Sequence, residues 1–388
     1  MKKAMLSLLL AGALLLSGCS ALLDRPYAVV SPHPEHPGAG EDASITVDSY
    51  PELVSAVLYF VSQSVEEGRI QLTDYDGDVE TDLNSACLEV AKDDPLGAYA
   101  VDFIKNDYTR VLTTYEVNIY ITYRRTPEQI RSLVNVTGAS AIRQVLGEAL
   151  ADFEPEVALR VGYFSEDEAY IRSLIRQAYY DTPSAALGMP EVAVDIYPDH
   201  GSQRIVEIRL QYGDDTEALR EKQETLLDRA DRIVAPVLAQ YYSADEMLVG
   251  LLRQAPGMIG RRSGPAPDGG TSNTAWDALL GAGGDDEGVA LAFQLLCDQL
   301  KLDCTVMEGT LDGAPHFWNR VTNSDGESYH ADLSLDSTAR MFTDEEMAIL
   351  GYAWGEETPA VSPAVPGEEA EAQEGENAEN TDLPEKST

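Results

Sequence analysis

Three short segments of this 388-residue chain carry side chains that could do chemistry together. They are Gly284-Asp285-Asp286-Glu287-Gly288-Val289-Ala290, Pro315-His316-Phe317-Trp318-Asn319 and Tyr329-His330-Ala331-Asp332. Brought together, Asp286, His316 and Asp332 form a carboxylate–imidazole–carboxylate group. Such a group can be a charged network that knits strands, an imidazole held in one tautomer by a carboxylate, or a set of ligands for a divalent metal. His330 lies two residues before Asp332, so on a strand the two share a face and His330 could join the group.

The elements that must position these residues are legible around them. Asp286 opens an apolar helix that continues through Leu291-Ala292-Phe293-Gln294-Leu295-Leu296. Residues 304–309, 313–321 and 329–333 read as strands, the second carrying His316 and the third Asp332. Upstream, Asn273–Leu280 reads as a short helix and Tyr241–Arg262 as a longer lead-in helix. In this order the segments resemble bacterial transglutaminase-like (papain-type cysteine protease-like) domains, over about residues 240–345. The resemblance implies an α+β domain with a nucleophilic cysteine at a helix N-terminus and its base and orienting carboxylate on adjacent antiparallel strands. His316 and Asp332 match the base and the carboxylate. The cysteine position holds Asp286. Trp318 and Asn319 keep the family pattern, whereas Val289 replaces its usual aromatic and Phe317 its usual small residue, so an altered groove is expected.

The physics of that replacement is plain. A helix N-terminus with a nearby imidazolium depresses a cysteine pKa and makes a thiolate. A carboxylate is comfortable in the same potential, but its attack on an amide would lead to a high-energy anhydride. Shifting the register to Asp285 or Glu287 supplies no thiol. Cys297 lies eleven residues along the helix, about 16 Å away at 1.5 Å per residue, and Cys304 begins a strand beyond it. No intact catalytic set is therefore expected, only relic triad positions at Asp286, His316 and Asp332. Because the triad carboxylate of the family holds the far nitrogen of its histidine, no metal or other cofactor is expected either.

Cys19 ends Leu16-Ser17-Gly18-Cys19 after Lys2-Lys3 and an apolar run from Ala4 to Leu16. That run is too short to span a bilayer, which takes about 20 residues. The segment resembles a bacterial lipobox, which implies a signal peptide over residues 1–18 and acylation of Cys19 by diacylglycerol-linked, palmitate-like chains. Two chains give stable anchoring. Residues 19–42 read as a flexible tether and 355–388 as a disordered acidic tail. Cys87, Cys297 and Cys304 read as buried free thiols.

Residues 43–235 read as an α+β region with an internal repeat. Val117–Tyr123 and Val206–Tyr212 alternate with period two and each runs into a helix start, at Thr126-Pro127 and Thr216-Glu217. A strand is expected before each, at Ala98–Ile104 and Glu191–Tyr197, with turns at Lys105–Thr109 and Pro198–Gln203. Helices at Tyr50–Glu66 and Glu166–Tyr180 precede them. A duplicated helix–hairpin–helix module is thus expected ahead of the transglutaminase-like domain at 236–354. Asp74-Tyr75-Asp76-Gly77-Asp78-Val79-Glu80 alternates carboxylates as a calcium loop does, but Ser85 stands where the bidentate glutamate belongs, so an acidic turn is expected.

With 67 acidic and 27 basic residues the formal net charge is −40, which disfavours nucleic acid as a partner. The expectation is a membrane-anchored, extracytoplasmic lipoprotein whose inactive domain binds or scaffolds envelope proteins or cell-wall peptides. The alternative is an enzyme of altered, metal-assisted or unrecognised peptidase chemistry.

Overall fold

The computed structural model describes residues 44–262, 272–335 and 340–355. The expected signal peptide, Cys19, the expected tether at 19–42 and residues 356–388 of the expected tail lie outside them. The described chain is mixed α/β and divides into two compact units, one of residues 44–90 with Asp102–Thr122, the other of residues 91–101 with 123–355.

In the first unit, helix α1 (Tyr50–Ser62) begins where Ser49 takes an extended backbone and Pro51 pre-sets the first turn. Leu53, Val57, Phe60 and Val61 recur on one buried face. The helix connects β1 (Ile45–Val47) to β2 (Glu67–Leu72), which run parallel with Ile45 opposite Ile70. It stops at Ser62, short of the expected Glu66, because Glu67 already begins a strand. The acidic segment at 74–80 is the entry to α2 (Val79–Lys92): Asp78 accepts from Thr81 N, and Tyr75 donates to Asp82. β3 (Val101–Val111) and β4 (Thr114–Tyr123) complete a sheet of order β1-β2-β4-β3.

Here the expected turn at Lys105–Thr109 is wrong. Those residues lie inside β3, and the chain reverses at Leu112-Thr113, where Leu112 adopts φ +58°. Their polar character reflects an exposed sheet edge rather than a turn. The expected strand from Ala98 is also late by three residues. Asp94 caps a short helix, α3 (Pro95–Ala100), by accepting from Leu96 N and Gly97 N, and the strand starts only at Val101.

In the second unit, Thr126 makes the expected cap, a reciprocal box with Gln129 at the start of α4 (Pro127–Arg131). Then come β5 (Val134–Val136), α5 (Ala139–Ala151), β6 (Glu156–Val161), α6 (Glu168–Tyr180), β7 (Glu191–Tyr197), β8 (Arg204–Gln211) and α7 (Thr216–Gln240). The sheet has order β5-β6-β8-β7, with β5 parallel to β6 and the other pairs antiparallel. Asp215, not Thr216, caps α7 by accepting from Ala218 N.

The unit continues through α8 (Ala244–Gln254), α9 (Ala275–Leu279) and α10 (Asp286–Gln299) to a third sheet. Its strands are β9 (Asp303–Leu311), β10 (Ala314–Thr322), β11 (Ser328–Ala331) and β12 (Tyr352–Ala353), in order β11-β10-β9-β12, with α11 (Asp344–Ile349) before the last. Helix α10 is buried from Gly288 to Cys297 on all sides, so it is the axis of this half rather than a surface helix. The boundary expected near 235 falls within α7. That helix gives Leu226, Ala230, Ile233, Val234 and Val237 to one core that also holds Leu159, Ile208, Phe293 and Val321.

Candidate functional site: a histidine held between two carboxylates

The first turn of α10 is built by its own sequence. Asp285 caps it, accepting from Gly288 N at 3.0 Å, and Asp286 stands at its first position, where the helix dipole favours a negative charge. Gly288 is required by close approach: a β-carbon there would meet Ser272 O at 2.6 Å and Thr274 O at 2.9 Å. The strand pair β9–β10 presents His316 opposite Gly309, whose own β-carbon would meet Ala353 O at 2.3 Å and the Trp318 ring. Asn319, 1 % exposed, ties β10 to α10 by donating to Ala290 O at 2.9 Å.

These elements bring Asp286, His316 and Asp332 together. His316 Nδ1 lies 2.8 Å from Asp286 Oδ2 and its Nε2 lies 2.6 Å from Asp332 Oδ2. With a carboxylate on each nitrogen the ring is best served as an imidazolium donating both protons. Burial works against that charge, but the bonds to Asp286 and Asp332 outweigh it and raise the His316 pKa to about 9. Burial likewise pushes both carboxyls up. The bond and charge of His316, together with Phe317 N–H on Asp286 and with Ser334 and Tyr352 on Asp332, more than offset this, so both fall below the ordinary carboxylate range. Asp332 is the orienting member: it accepts from Ser334 N and Oγ and from Tyr352 OH at 2.7 Å. It sits just past the end of β11, whose ladder stops at Ala331 and not at the expected Leu333. Asp286 is the outward member, with 27 % of its side chain exposed against 4 % for Asp332.

His330 does not join this group. Trp318 Nε1–H donates to its Nδ1 at 2.8 Å, so its proton is on Nε2, facing Asp344 Oδ1 at 2.9 Å. Burial lowers its pKa despite Asp344. Trp318 lies between the two histidines, with ring centroids 6.3 Å from His316 and 6.1 Å from His330, and Tyr352 and Trp354 close the aromatic cluster. Both nitrogens of His316 are engaged, so a metal at that ring would have to displace a carboxylate. Among the described residues no group of three or more His, Cys, Asp or Glu side chains is placed to hold a metal ion. Cys87, Cys297 and Cys304 are buried and unbridged. Burial raises the Cys297 pKa well above its ordinary value, and the Cys304 thiol adds to it.

Several contributors lie far away in sequence. Glu287 accepts from Tyr180 OH at 3.0 Å and from Asn273 Nδ2 at 3.1 Å. Burial nevertheless raises its pKa. The Tyr180 ring packs 6.0 Å from Phe317, and Arg176 Nη2 pairs with Glu308 Oε1 at 2.7 Å. The C-terminal end of α6 therefore covers the flank of the site next to Asp286, with Phe317 filling space beside it. No local motif marks Tyr180 or Tyr352, since each reaches the site through packing of a distant element.

No protein-family profile and no curated protein matches this chain. Among solved structures, one described as the crystal structure of a TGase aligns at 12 % identity, over 46 % of this chain and 51 % of its own, with a TM-score of 0.25. The chain spans about half the length of that structure. Among the described residues, no helix is long and apolar enough to cross a membrane.

Proposed function

We propose that this protein is a lipid-anchored, extracytoplasmic binding protein whose C-terminal part is a transglutaminase-like domain without thiol chemistry. The observation that carries the reading is the placement of Asp286. Its carboxylate occupies the start of α10, 2.8 Å from His316 Nδ1, while Asp332 holds the other nitrogen. A nucleophile drawing on this histidine would need that same face, and the carboxylate has closed it with an ion pair. In this reading the group serves as a pre-charged contact for a ligand rather than as a proton relay. Extended peptide, from envelope proteins or cell-wall stems, is the ligand class that fits the domain resemblance. Cys19 supplies the membrane attachment in this reading. The shared strand order of the first two sheets, β1-β2-β4-β3 and β5-β6-β8-β7, supports duplication of the upstream module.

Two experiments test it. Asp286→Cys places a thiol at a helix N-terminus beside an imidazolium. Its iodoacetamide reactivity should titrate well below the ordinary thiol value of about 8.5; an ordinary titration would argue against a relic catalytic position. The chain lacking residues 1–19 should bind extended peptides in a fluorescence-anisotropy screen without cleaving them, and Asp286→Lys should abolish that binding. Turnover of any amide, or binding indifferent to Asp286→Lys, would overturn the reading.

A further inference from the structure

Among the described residues, the outermost strand of the first sheet, β3, has one edge without a neighbouring strand. Phe103, Tyr108 and Val111 are exposed along it, and Leu112 at the hairpin tip is almost fully so. Long exposed edges are templates for pairing with another strand, and proteins ordinarily blunt them with charge. The charges on β3 are arranged differently. The strand reads Asp102-Phe103-Ile104-Lys105-Asn106-Asp107-Tyr108-Thr109-Arg110. Reversed about Asn106, it sets Asp102 opposite Arg110, Ile104 opposite Tyr108, and Lys105 opposite Asp107. Every charge meets its opposite and Asn106 meets itself.

We propose that β3 pairs antiparallel with β3 of a second copy of this chain, about a two-fold axis at Asn106. The backbone permits that register. The two-residue Leu112-Thr113 turn sets Val111 opposite Thr114 and hence Asp107 opposite Asn118, and those two side chains are hydrogen bonded at 2.7 Å. Odd-numbered residues of β3 therefore turn their N–H and C=O groups toward β4, and even-numbered residues turn theirs outward. In the two-fold register even residues face even residues, so outward donors meet outward acceptors. Side chains directly opposite then share a face, which is what lets Lys105 reach Asp107 of the other copy.

Two observations favour a second copy over a foreign strand. β3 is locally neutral, two acids against two bases from Asp102 to Arg110, in a chain of net charge −40. It is thus a place where two such acidic molecules can touch without repulsion. The edge strand of the other α/β sheet, β7, carries Glu191 and Asp195 and no base, so two copies of it would set like charges together. A two-fold interface of this kind is self-complementary by construction.

The test is a charge swap read by sedimentation of the chain lacking residues 1–19. Both side chains are exposed, but Asp107→Lys gives up the bond to Asn118, so circular dichroism and a melting curve of each variant verify that the fold is kept. The unaltered chain should show a concentration-dependent dimer. Asp107→Lys, which sets lysine against Lys105 twice across the axis, should weaken the dimer by about ten-fold or more. The double variant Lys105→Asp/Asp107→Lys should restore it. A monomer at every concentration overturns self-pairing and leaves the edge to a strand from another protein. A dimer that ignores Asp107→Lys, or is not recovered by the double variant, overturns the assigned register.

Discussion

His316 is the residue on which the site turns, because both neighbouring carboxylates depend on its charge. Its pKa, raised to about 9 in the fold, lies above the ordinary value near 6.5. Its contribution is therefore complete below about pH 6.5 and is lost as the pH climbs through 9. Asp286 and Asp332, depressed in the fold, behave oppositely. Their contribution is present above the ordinary carboxylate range and disappears as the pH falls through their lowered values. Support from the site is greatest between about pH 5 and 6.5, and the histidine part amounts to roughly 3 kcal/mol. Urea unfolding at pH 6 and pH 9.5 should show that loss in the native chain and little of it in His316→Gln. Equal pH slopes would mean that the ring is not ionised. His316→Ala, which leaves two carboxylates facing each other, should cost about 3 kcal/mol at pH 6, measured in the same way.

At the scale of elements, the site depends on two places where only glycine fits. Gly288→Ala should lower stability by about 2 kcal/mol, since the added carbon overlaps the backbone oxygen of Ser272. Asp285→Ala, which removes the cap of the same turn, should cost about 1 kcal/mol. Calorimetric melting of both variants checks the order, and a harmless Gly288→Ala would mean that residues 272–274 do not lie over α10. The pattern Asp286-Glu287-Gly288-Val289-Ala290 was legible because its glycine leads directly into an apolar run, and β10 was legible because Trp318 and Asn319 follow the histidine. Tyr352, Tyr180 and Asn273 were not, because their roles arise from packing between segments. In the upstream half, Val117–Tyr123 and Glu191–Tyr197 alternate cleanly and were read correctly. β3 was misread because Lys105-Asn106-Asp107 is polar for want of a neighbour, and sequence polarity does not separate an exposed edge from a turn. Short strands such as β1 and β5, three residues each, carry too little periodicity to be seen.

At the scale of the whole molecule, charge is the dominant property. A net −40 opposes any compact state through self-repulsion, and added salt screens that repulsion over a Debye length of about 10 Å at 0.1 M. The melting temperature of the chain lacking residues 1–19 should therefore rise as sodium chloride goes from about 10 to 150 mM. A falling melting temperature would mean that attractive pairs such as Arg125–Glu207 and Arg209–Asp195 outweigh the general repulsion. The shared core described above has a further consequence, for synthesis. All four strands of the first sheet have emerged once Tyr123 leaves the ribosome, so that unit can close early. The other unit cannot. Ile208 and Leu226 belong to a core whose last members are Ala331 and Leu333, so apolar surface made midway through translation waits roughly a hundred residues for its cover. The long interval between the first and last pieces of that core marks the nascent chain, rather than the finished protein, as the state most in need of a chaperone.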